Sequence, residues 1–324
     1  MAGSNRKFLE SVQAALTETE QGKLVADRAQ GSLSGLSGAK TVDALQRLAR
    51  LFEGDATACY LEIGVYRGLT LVMAALAAPG LPCFGIDNFA TLDPKGENKK
   101  IANERIRKFK VDNATLIDSD FEAALAGIDV PLLGRKIGVY FVDGPHDYRS
   151  QMVCLLAVKR HLHDNAVIVV DDANYPDVRH ANRDFLVAHP DFKLLFEAYS
   201  PAHPTNMTAV ERRRWEQDWL NGVNLLVRDP ENLLADMLPP VDADRTLYFN
   251  EWLVHRLRRA ELAPEAVLLA DAIVTGDKAT EKTAREKLLA RHDGLAGATD
   301  QRFADRNTYS TGLPDARFNV LRGS

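Results

Sequence analysis

Cysteine is scarce in this chain of 324 residues, which contains only three. Cys59, Cys83 and Cys154 stand in apolar surroundings and lack the spacing of a metal-binding or redox motif. Their number and spacing predict buried thiols in a reducing compartment, and therefore a cytoplasmic location.

Long apolar segments are also lacking. The longest apolar run, near residues 71–78, is too short to span a bilayer. Arg6 and Lys7 near the N-terminus are not followed by the apolar stretch of a secretory signal. We therefore expect neither export nor membrane insertion, and no membrane partner.

A broad basic surface is the third absence. The formal net charge is −5, and the sharpest cationic cluster, residues 212–214, lies in a predicted helix where arginines are typical of a solvated face. We expect no nucleic-acid partner. Hydrophobic residues make up 46% of the chain and charged residues 26%, as in an ordinary globular protein, and the length predicts one large core with additions or with a smaller domain.

Three segments of the chain differ in pattern. Residues 1–53 predict helices interrupted by a glycine- and serine-rich stretch at 31–38, which fits either a linker or a lid over a site. Residues 54–229 predict the main core, and residues 230–324 a C-terminal helical extension. Within that extension, helices are expected near 247–259, 264–275 and 278–291, followed by an irregular tail from about Asp293.

Short apolar runs alternate with helical stretches in the central segment, which is typical of repeated βα units. Strands are predicted near 58–63, 82–86, 113–117, 137–142, 166–170, 192–198 and 223–228, and helices near 68–78, 97–109, 119–126, 149–163 and 178–188. We therefore predict an α/β fold with a doubly wound, seven-stranded, mostly parallel sheet of the Rossmann-like type.

Carboxylates follow two of these predicted strands. Strand four leads into Asp143, with His146 three residues later, and strand five leads into Asp171 and Asp172. Open α/β sheets bind ligands at the carboxyl ends of their strands, and strands four and five are expected to be neighbours. Because acids gathered there would repel one another, the pattern predicts a cation with oxygen ligands, such as Mg²⁺, Mn²⁺ or Ca²⁺. An imidazole on the same loop suits proton removal.

A second ligand site is predicted after the first strand. Glu62 precedes a turn containing Gly64 and Gly68, and the helix that follows supplies backbone donors and a positive dipole end. The spacing ExGxxxG differs from the GxGxxG of dinucleotide binders, and Glu62 suits a ligand with a cationic group. Asp87, after the second strand, suits ribose hydroxyls. S-adenosylmethionine has both features; the alternative is that the glycines only make a turn.

Residues 60–68, Asp87 and residues 117–121 together resemble a class I S-adenosylmethionine-dependent methyltransferase. The resemblance implies that Glu62 serves the methionine end of the cofactor, Asp87 the ribose and Asp118 the adenine amino group. Asp118 and Asp120 also fit the N-cap of a helix. The full cofactor-binding set expected from this resemblance is Glu62, Gly64, Val65, Tyr66, Gly68, Asp87, Asn88, Asp118, Ser119 and Asp143.

Residues 141–148, followed by residues 169–172, are similar to the metal-dependent branch that includes the macrocin and mycinamicin sugar O-methyltransferases. Cephalosporin hydroxylase-like proteins share this pattern. The resemblance, which covers roughly residues 40–228, implies that Asp143, Asp171 and Asp172 bind magnesium and that His146 is the catalytic base.

The expected activity is methyl transfer from S-adenosylmethionine to a hydroxyl of a sugar or another small-molecule natural product. Asn174, Tyr175 and His180 fit either the acceptor pocket or an ordinary loop and helix start. Two other functions stay open: an oxidoreductase or hydroxylase-like enzyme on the same fold, and a non-catalytic cofactor-binding subunit of an assembly. The aromatic helix around Trp252 fits either a homo-oligomer or packing on the chain's own core.

Overall fold

A computed structural model describes residues 4–22, 33–90, 92–241, 261–302 and 313–321, without the side chains of residues 4 and 295–302. The strands are β1 (Ala58–Ile63), β2 (Cys83–Asp87), β3 (Ala114–Asp118), β4 (Lys136–Val142), β5 (Leu162–Asp171), β6 (Phe192–Ala198), β7 (Val223–Arg228) and β8 (Arg317–Phe318). The helices are α1 (Ser4–Glu20), α2 (Ala39–Arg50), α3 (Leu69–Ala77), α4 (Asn98–Phe109), α5 (Phe121–Ala126), α6 (Asp129–Leu132), α7 (Tyr148–Val158), α8 (Pro176–Ala188), α9 (Ala209–Trp215), α10 (Ala263–Thr275) and α11 (Lys278–Arg302).

One mixed sheet organises the fold, in the order β3-β2-β1-β4-β5-β7-β6-β8. The first five strands are parallel, whereas β7 pairs antiparallel with both β5 and β6. This confirms the predicted α/β sheet and places β4 between β1 and β5. The predicted count of seven strands is wrong, because the short strand Arg317–Phe318 adds an eighth at the free edge of β6. A two-residue strand has no periodicity from which it could have been predicted.

Both faces of the sheet are apolar because helices cover them on each side. Alternate residues of a strand point to opposite faces, so that Val139 and Val167 join one hydrophobic core while Tyr140 and Ile168 join the other. This two-sided burial explains why β4 and β5 are continuous apolar runs that end abruptly in carboxylates.

The N-terminal helices cover one of these faces. Val42, Leu45 and Leu48 of α2 are at most 1% exposed and belong to the same core as Leu9 and Val12 of α1. Burying each of these leucines contributes roughly 1.5–3 kcal/mol. Helices α1 and α2 lie where the sequence predicts helices, and each buries an apolar face.

The C-terminal residues differ in part from the prediction. The helix expected near 247–259, with Trp252, lies outside the described residues. Helix α11 continues to Arg302, so the irregular tail expected from about Asp293 is wrong for residues 293–302. Residues 313–321 return to the sheet, where the Asn319 side chain donates to the carbonyl oxygens of Leu194 (2.9 Å) and Ala235 (2.8 Å).

All three cysteines are buried and free, as predicted. None of the helices within the described ranges combines the length and the apolar composition that a bilayer crossing requires.

Candidate active site

A cavity of about 750 Å³ opens at the carboxyl ends of β1, β2, β4 and β5. Parallel strands bring their carboxyl ends to the same edge of a sheet, which is where open α/β sheets bind ligands. The turn after β1, the ends of β2 and β3, the acids after β4 and β5 and the connection between β6 and β7 all contribute to its walls.

Asp143, His146 and Asp172 meet in this cavity. Each offers one potential ligand atom, and these atoms lie within 4.8 Å of one another. Asp171 lines the same cavity but is not part of this group of three. The sequence predicted Asp143, Asp171 and Asp172 as the metal ligands, so the structure brings two of the three together and adds the predicted base. Asp171 as a ligand stays a prediction.

Asp172 reaches the cavity through an unusual backbone conformation. It follows the last residue of β5 and has a φ of 58°, in the left-handed region that aspartate tolerates better than most residues. In a regular strand, Asp171 and Asp172 would point to opposite faces. The left-handed residue breaks that alternation, and both carboxylates line the cavity.

His146 and Asp172 form a close pair in the site, with 2.6 Å between His146 Nε2 and Asp172 Oδ2. The imidazole also stacks on the ring of Tyr175, at a centroid distance of 4.5 Å and an angle of 15°. Asn221 Nδ2 donates to the other oxygen of Asp172 at 2.6 Å. These contacts hold the imidazole against the acids.

The acids strongly perturb one another. Burial, together with the charge of Asp172, raises the pKa of Asp143 to about 7. Burial and the charges of Asp143 and Asp172 raise the pKa of Asp171 well above its usual value. Burial opposes ionisation of Asp172 too, but the neighbouring His146 outweighs it and lowers the pKa of Asp172. The site therefore gathers more negative charge than its single imidazole can balance, which favours a cation.

The turn after β1 packs directly against the first acid. Gly64 has a φ of 89°, and a Cβ atom there would lie 1.8 Å from the carbonyl oxygen of Asp143. Only glycine permits this approach. Gly64, Val65 and Tyr66, which the sequence predicts to bind the cofactor, line the cavity, whereas Gly68 does not and instead precedes α3 with a φ of 76°.

Asp87 and Asn88 also line the cavity, next to that turn. The Asp87 carboxylate accepts hydrogen bonds from the backbone N–H groups of Tyr66 and Phe89, each at 2.7 Å. A carboxylate has about four acceptor sites, so these two bonds leave capacity for ligand hydroxyls. Asp87 thus joins the β1 turn to the end of β2.

Glu62 lies beneath the cavity and does not line it. Its fully buried carboxyl accepts from the Tyr60 hydroxyl at 2.6 Å and from Thr70 Oγ1 at 3.1 Å. Burial raises its pKa to about 8. Direct binding of a cationic ligand group by Glu62 stays a prediction; the contact through Thr70, which does line the cavity, favours an indirect role.

Asp118 does not line the cavity either. Its carboxylate pairs with Lys99 at 2.5 Å on the surface, while Ser119, Asp120 and Phe121 line the cavity. Asp120 is the N-cap of α5 and accepts from the Glu122 N–H at 2.9 Å. The adenine contact predicted for Asp118 stays a prediction, and the placement favours Ser119 next to it.

The stretch at 33–38 contributes to the cavity wall, which fits a lid better than a linker. Gly35, Leu36 and Ser37 line the cavity, and the Ser37 side chain hydrogen-bonds the Asp143 carboxyl. Arg105 of α4 holds the segment by donating to the Ser34 carbonyl oxygen (2.7 Å) and the Ser34 hydroxyl (3.1 Å).

Sequence reasoning missed the residues that the connection between β6 and β7 brings to the cavity. His203, Glu216 and Asn221 line it, and so does Arg212, which the sequence assigned to a solvated face. The length of this connection was the only signal. Of the three residues considered for the acceptor pocket, Tyr175 lines the cavity, whereas Asn174 binds Ser200 and His180 is buried elsewhere.

Comparisons with known proteins gave one family match and several similar solved structures. Residues 61–173 match the family model of a methyltransferase domain. No curated protein sequence matches the chain. Among solved structures, cofactor-bound Rv0187 from MTB is 18% identical, with a TM-score of 0.44 over 69% of this chain and 91% of that one. The O-methyltransferase from Bacillus cereus in complex with SAH is 13% identical, with a TM-score of 0.44 over 68% and 91%. The O-methyltransferase TomG from Streptomyces achromogenes is 18% identical, with a TM-score of 0.44 over 68% and 90%.

Proposed function

We propose that the chain, whose residues 61–173 match the family model of a methyltransferase domain, is a class I, S-adenosylmethionine-dependent enzyme that methylates a hydroxyl oxygen with the help of a divalent cation. The acceptor is a sugar or another hydroxylated small-molecule natural product. The observation that carries the proposal is the meeting of Asp143, His146 and Asp172 in the cavity that the glycine turn borders.

The residues present fit a divalent cation, most simply Mg²⁺. Burial and the charge of Asp172 raise the pKa of Asp143, and burial and the charges of Asp143 and Asp172 raise the pKa of Asp171, as expected of carboxylates gathered at one place. Carboxylate oxygens select magnesium, manganese or calcium over zinc. Asp143, Asp171 and Asp172 would hold the ion, and a bound ion lowers the pKa of an alcohol.

The cofactor fits the other end of the cavity. Asp87 keeps acceptor capacity for ribose hydroxyls, and Gly64 lets the backbone approach a ligand closely. Val65, Tyr66, Asn88 and Ser119 line the same region and would contact the nucleoside. This arrangement supports a methyl donor seated next to Asp143.

His146 is the proposed base that takes the acceptor proton. Asp172, at 2.6 Å, orients the ring and would stabilise the imidazolium that forms. The stack on Tyr175 restricts the ring plane. Both contacts place the imidazole within the group of potential ligand atoms.

The test combines binding and turnover. Calorimetry with S-adenosylmethionine, NAD and NADP should show binding of S-adenosylmethionine alone. Incubation with a panel of sugars and hydroxylated natural products should give a methylated product, and its formation should stop with EDTA and resume with Mg²⁺. His146→Gln should keep cofactor binding and lose turnover. His163→Gln, which changes a histidine paired with Asp55 at the other end of β5, is the matched control and should keep both. Turnover that survives exhaustive chelation would refute the metal requirement.

Of the alternatives, an oxidoreductase on the same fold is disfavoured by the match to a methyltransferase domain. If the chain were instead a non-catalytic subunit, replacing His146 would leave its behaviour unchanged.

The three buried free thiols support the proposal of a cytoplasmic location.

A homo-oligomer also stays a prediction. Helix α10 exposes Val267, Leu268, Ile273 and Val274, which are each more than half exposed. Light scattering of the purified chain decides between a monomer and an assembly.

A further inference from the structure

Asn221 makes the second hydrogen bond to the central acid of the site. It is 3% exposed, lines the cavity and donates from Nδ2 to Asp172 Oδ1 at 2.6 Å. The other oxygen of the same carboxylate, Oδ2, faces His146 Nε2 at 2.6 Å. Three side chains from three different loops therefore form one chain of contacts that ends at the proposed base.

The backbone of Asn221 is held in register with Asp172. The ladder between β5 and β7 ends at the pair Asp171 and Val223. Beyond it, the Asn221 carbonyl oxygen accepts from the Asn174 N–H at 3.0 Å, and the Gly222 carbonyl oxygen accepts from the Ala173 N–H at 3.2 Å. The two segments on either side of the left-handed Asp172 are thereby locked together.

Gly222 makes this close approach possible. It has a φ of 81°, and a Cβ atom there would lie 2.4 Å from Asn174 Oδ1. Asn174 in turn is fully buried and donates to the carbonyl oxygen of Ser200 at 2.7 Å. The Asn221 side chain thus starts from a backbone that has little freedom to shift.

The orientation of the Asn221 amide is set by the carboxylate. Its Oδ1 is buried and has no hydrogen-bond partner among the residues that the structure describes. Reversing the amide would turn an oxygen toward Asp172 Oδ1, where two acceptors would repel each other. The bond to Asp172 is therefore kept although it leaves a buried acceptor unsatisfied.

We propose that Asn221 is a positioning residue that fixes the carboxylate of Asp172, so that Oδ2 faces His146 and the proposed cation. The inference rests on the proposed function of the site. A carboxylate held at one oxygen cannot rotate away from the imidazole. Removing a group that orients a metal ligand typically lowers the affinity for the metal by about 10- to 100-fold. Asn221 touches neither cofactor nor acceptor in this role; it acts through Asp172.

The test compares Asn221→Leu with a matched control, Asn182→Leu. Asn182 of α8 is also fully buried, donates from Nδ2 to a single partner (Asn224 Oδ1, 2.9 Å) and has a buried Oδ1 without a partner among the described residues. Its partner is not part of the site. Each variant is crystallised, and its affinities for Mn²⁺ alone and for S-adenosylmethionine are measured by calorimetry.

Asn221→Leu should lose the contact between Asp172 Oδ2 and His146 Nε2, and its dissociation constant for Mn²⁺ should rise about 10- to 100-fold. Its affinity for S-adenosylmethionine should stay at the wild-type value. Asn182→Leu should keep the contact and both affinities. If Asn221→Leu does not fold, Asn221→Asp preserves size, places a second carboxylate against Asp172 and should disrupt the contact in the same way.

Persistence of the contact between Asp172 and His146 in the folded Asn221 variants would overturn the inference. So would a Mn²⁺ affinity equal to that of the wild type. Failure of the wild-type chain to bind S-adenosylmethionine or Mn²⁺ would instead refute the proposed function, and the geometry of Asp172 in the variants would still decide the role of Asn221.

Discussion

Gly64 and Asp143 approach each other so closely that a Cβ atom on Gly64 would lie 1.8 Å from the Asp143 carbonyl oxygen. The contact joins the turn after β1 to the end of β4, since the Asp143 N–H also donates to the Ile63 carbonyl oxygen at 2.9 Å. The proposed cofactor turn and the first acid of the proposed metal site are therefore parts of one rigid junction.

Gly64→Ala should destabilise the protein by more than about 2 kcal/mol, because the left-handed backbone is strained for alanine and the clash with Asp143 is added to that strain. Denaturant unfolding measures the change. The control is Gly134→Ala, whose glycine has a φ of 81° but open space around the missing Cβ; strain alone should cost about 1 to 2 kcal/mol there. Equal effects at the two positions would show that the clash is relieved by relaxation.

Replacement of Glu62 should change how stability depends on pH. Burial raises the pKa of Glu62 from 4.5 to about 8. The folded chain therefore keeps a proton that the unfolded chain loses as the pH rises above about 4.5. The stabilisation by the neutral carboxyl is fully present below about pH 4.5 and is lost as the pH rises to about 8. Glu62→Gln stays neutral throughout.

The unfolding free energy of Glu62→Gln minus that of the wild type should thus increase between about pH 4.5 and pH 8, by at most about 1.4 kcal/mol per pH unit. Asp143 is present in both proteins, so its own titration largely cancels in the difference. The exposed Glu53→Gln serves as the control and should show no such trend. A difference that stays flat with pH would mean that Glu62 is ionised in the folded chain.

Arg105→Met should weaken binding of S-adenosylmethionine by about tenfold, or about 1.4 kcal/mol, because segment 33–38 loses its hydrogen bonds to Arg105 and the Arg67 carbonyl oxygen in the turn after β1 loses its donor. Calorimetry measures the affinity. Arg107→Met, on the exposed side of the same helix, should bind as the wild type does. Equal affinities for the two variants would show that the segment does not act as a lid on the cofactor.

Asn319→Ala should destabilise the chain by roughly 2 to 4 kcal/mol, because it leaves the backbone groups of Leu194 and Ala235 without their partner. Denaturant unfolding and limited proteolysis of the C-terminal segment report the change. Val320→Ala, at a neighbouring side chain that is 68% exposed, should change stability by no more than about 0.5 kcal/mol. A similar loss in both variants would argue against a specific role of the Asn319 amide.

The positions of the core strands and the acids at the ends of β4 and β5 could be predicted from short stretches of sequence. Strands buried on both faces are continuous apolar runs, and a carboxylate that ends such a run lies at the ligand-binding edge of the sheet. The bond between Asn221 and Asp172 could not be predicted, because it depends on the antiparallel pairing of β7 with β5, which brings together residues 49 positions apart.

The sequence alone determined the α/β class, the buried thiols and the grouping of Asp143, His146 and Asp172 near one sheet edge, because burial and strand ends are local properties of the chain. Tertiary structure decided that Glu62 and Asp118 lie off the cavity wall and that segment 33–38 and the β6–β7 connection contribute to it. Side-chain direction and long-range pairing decide such placements, and both are set only when distant segments pack against one another.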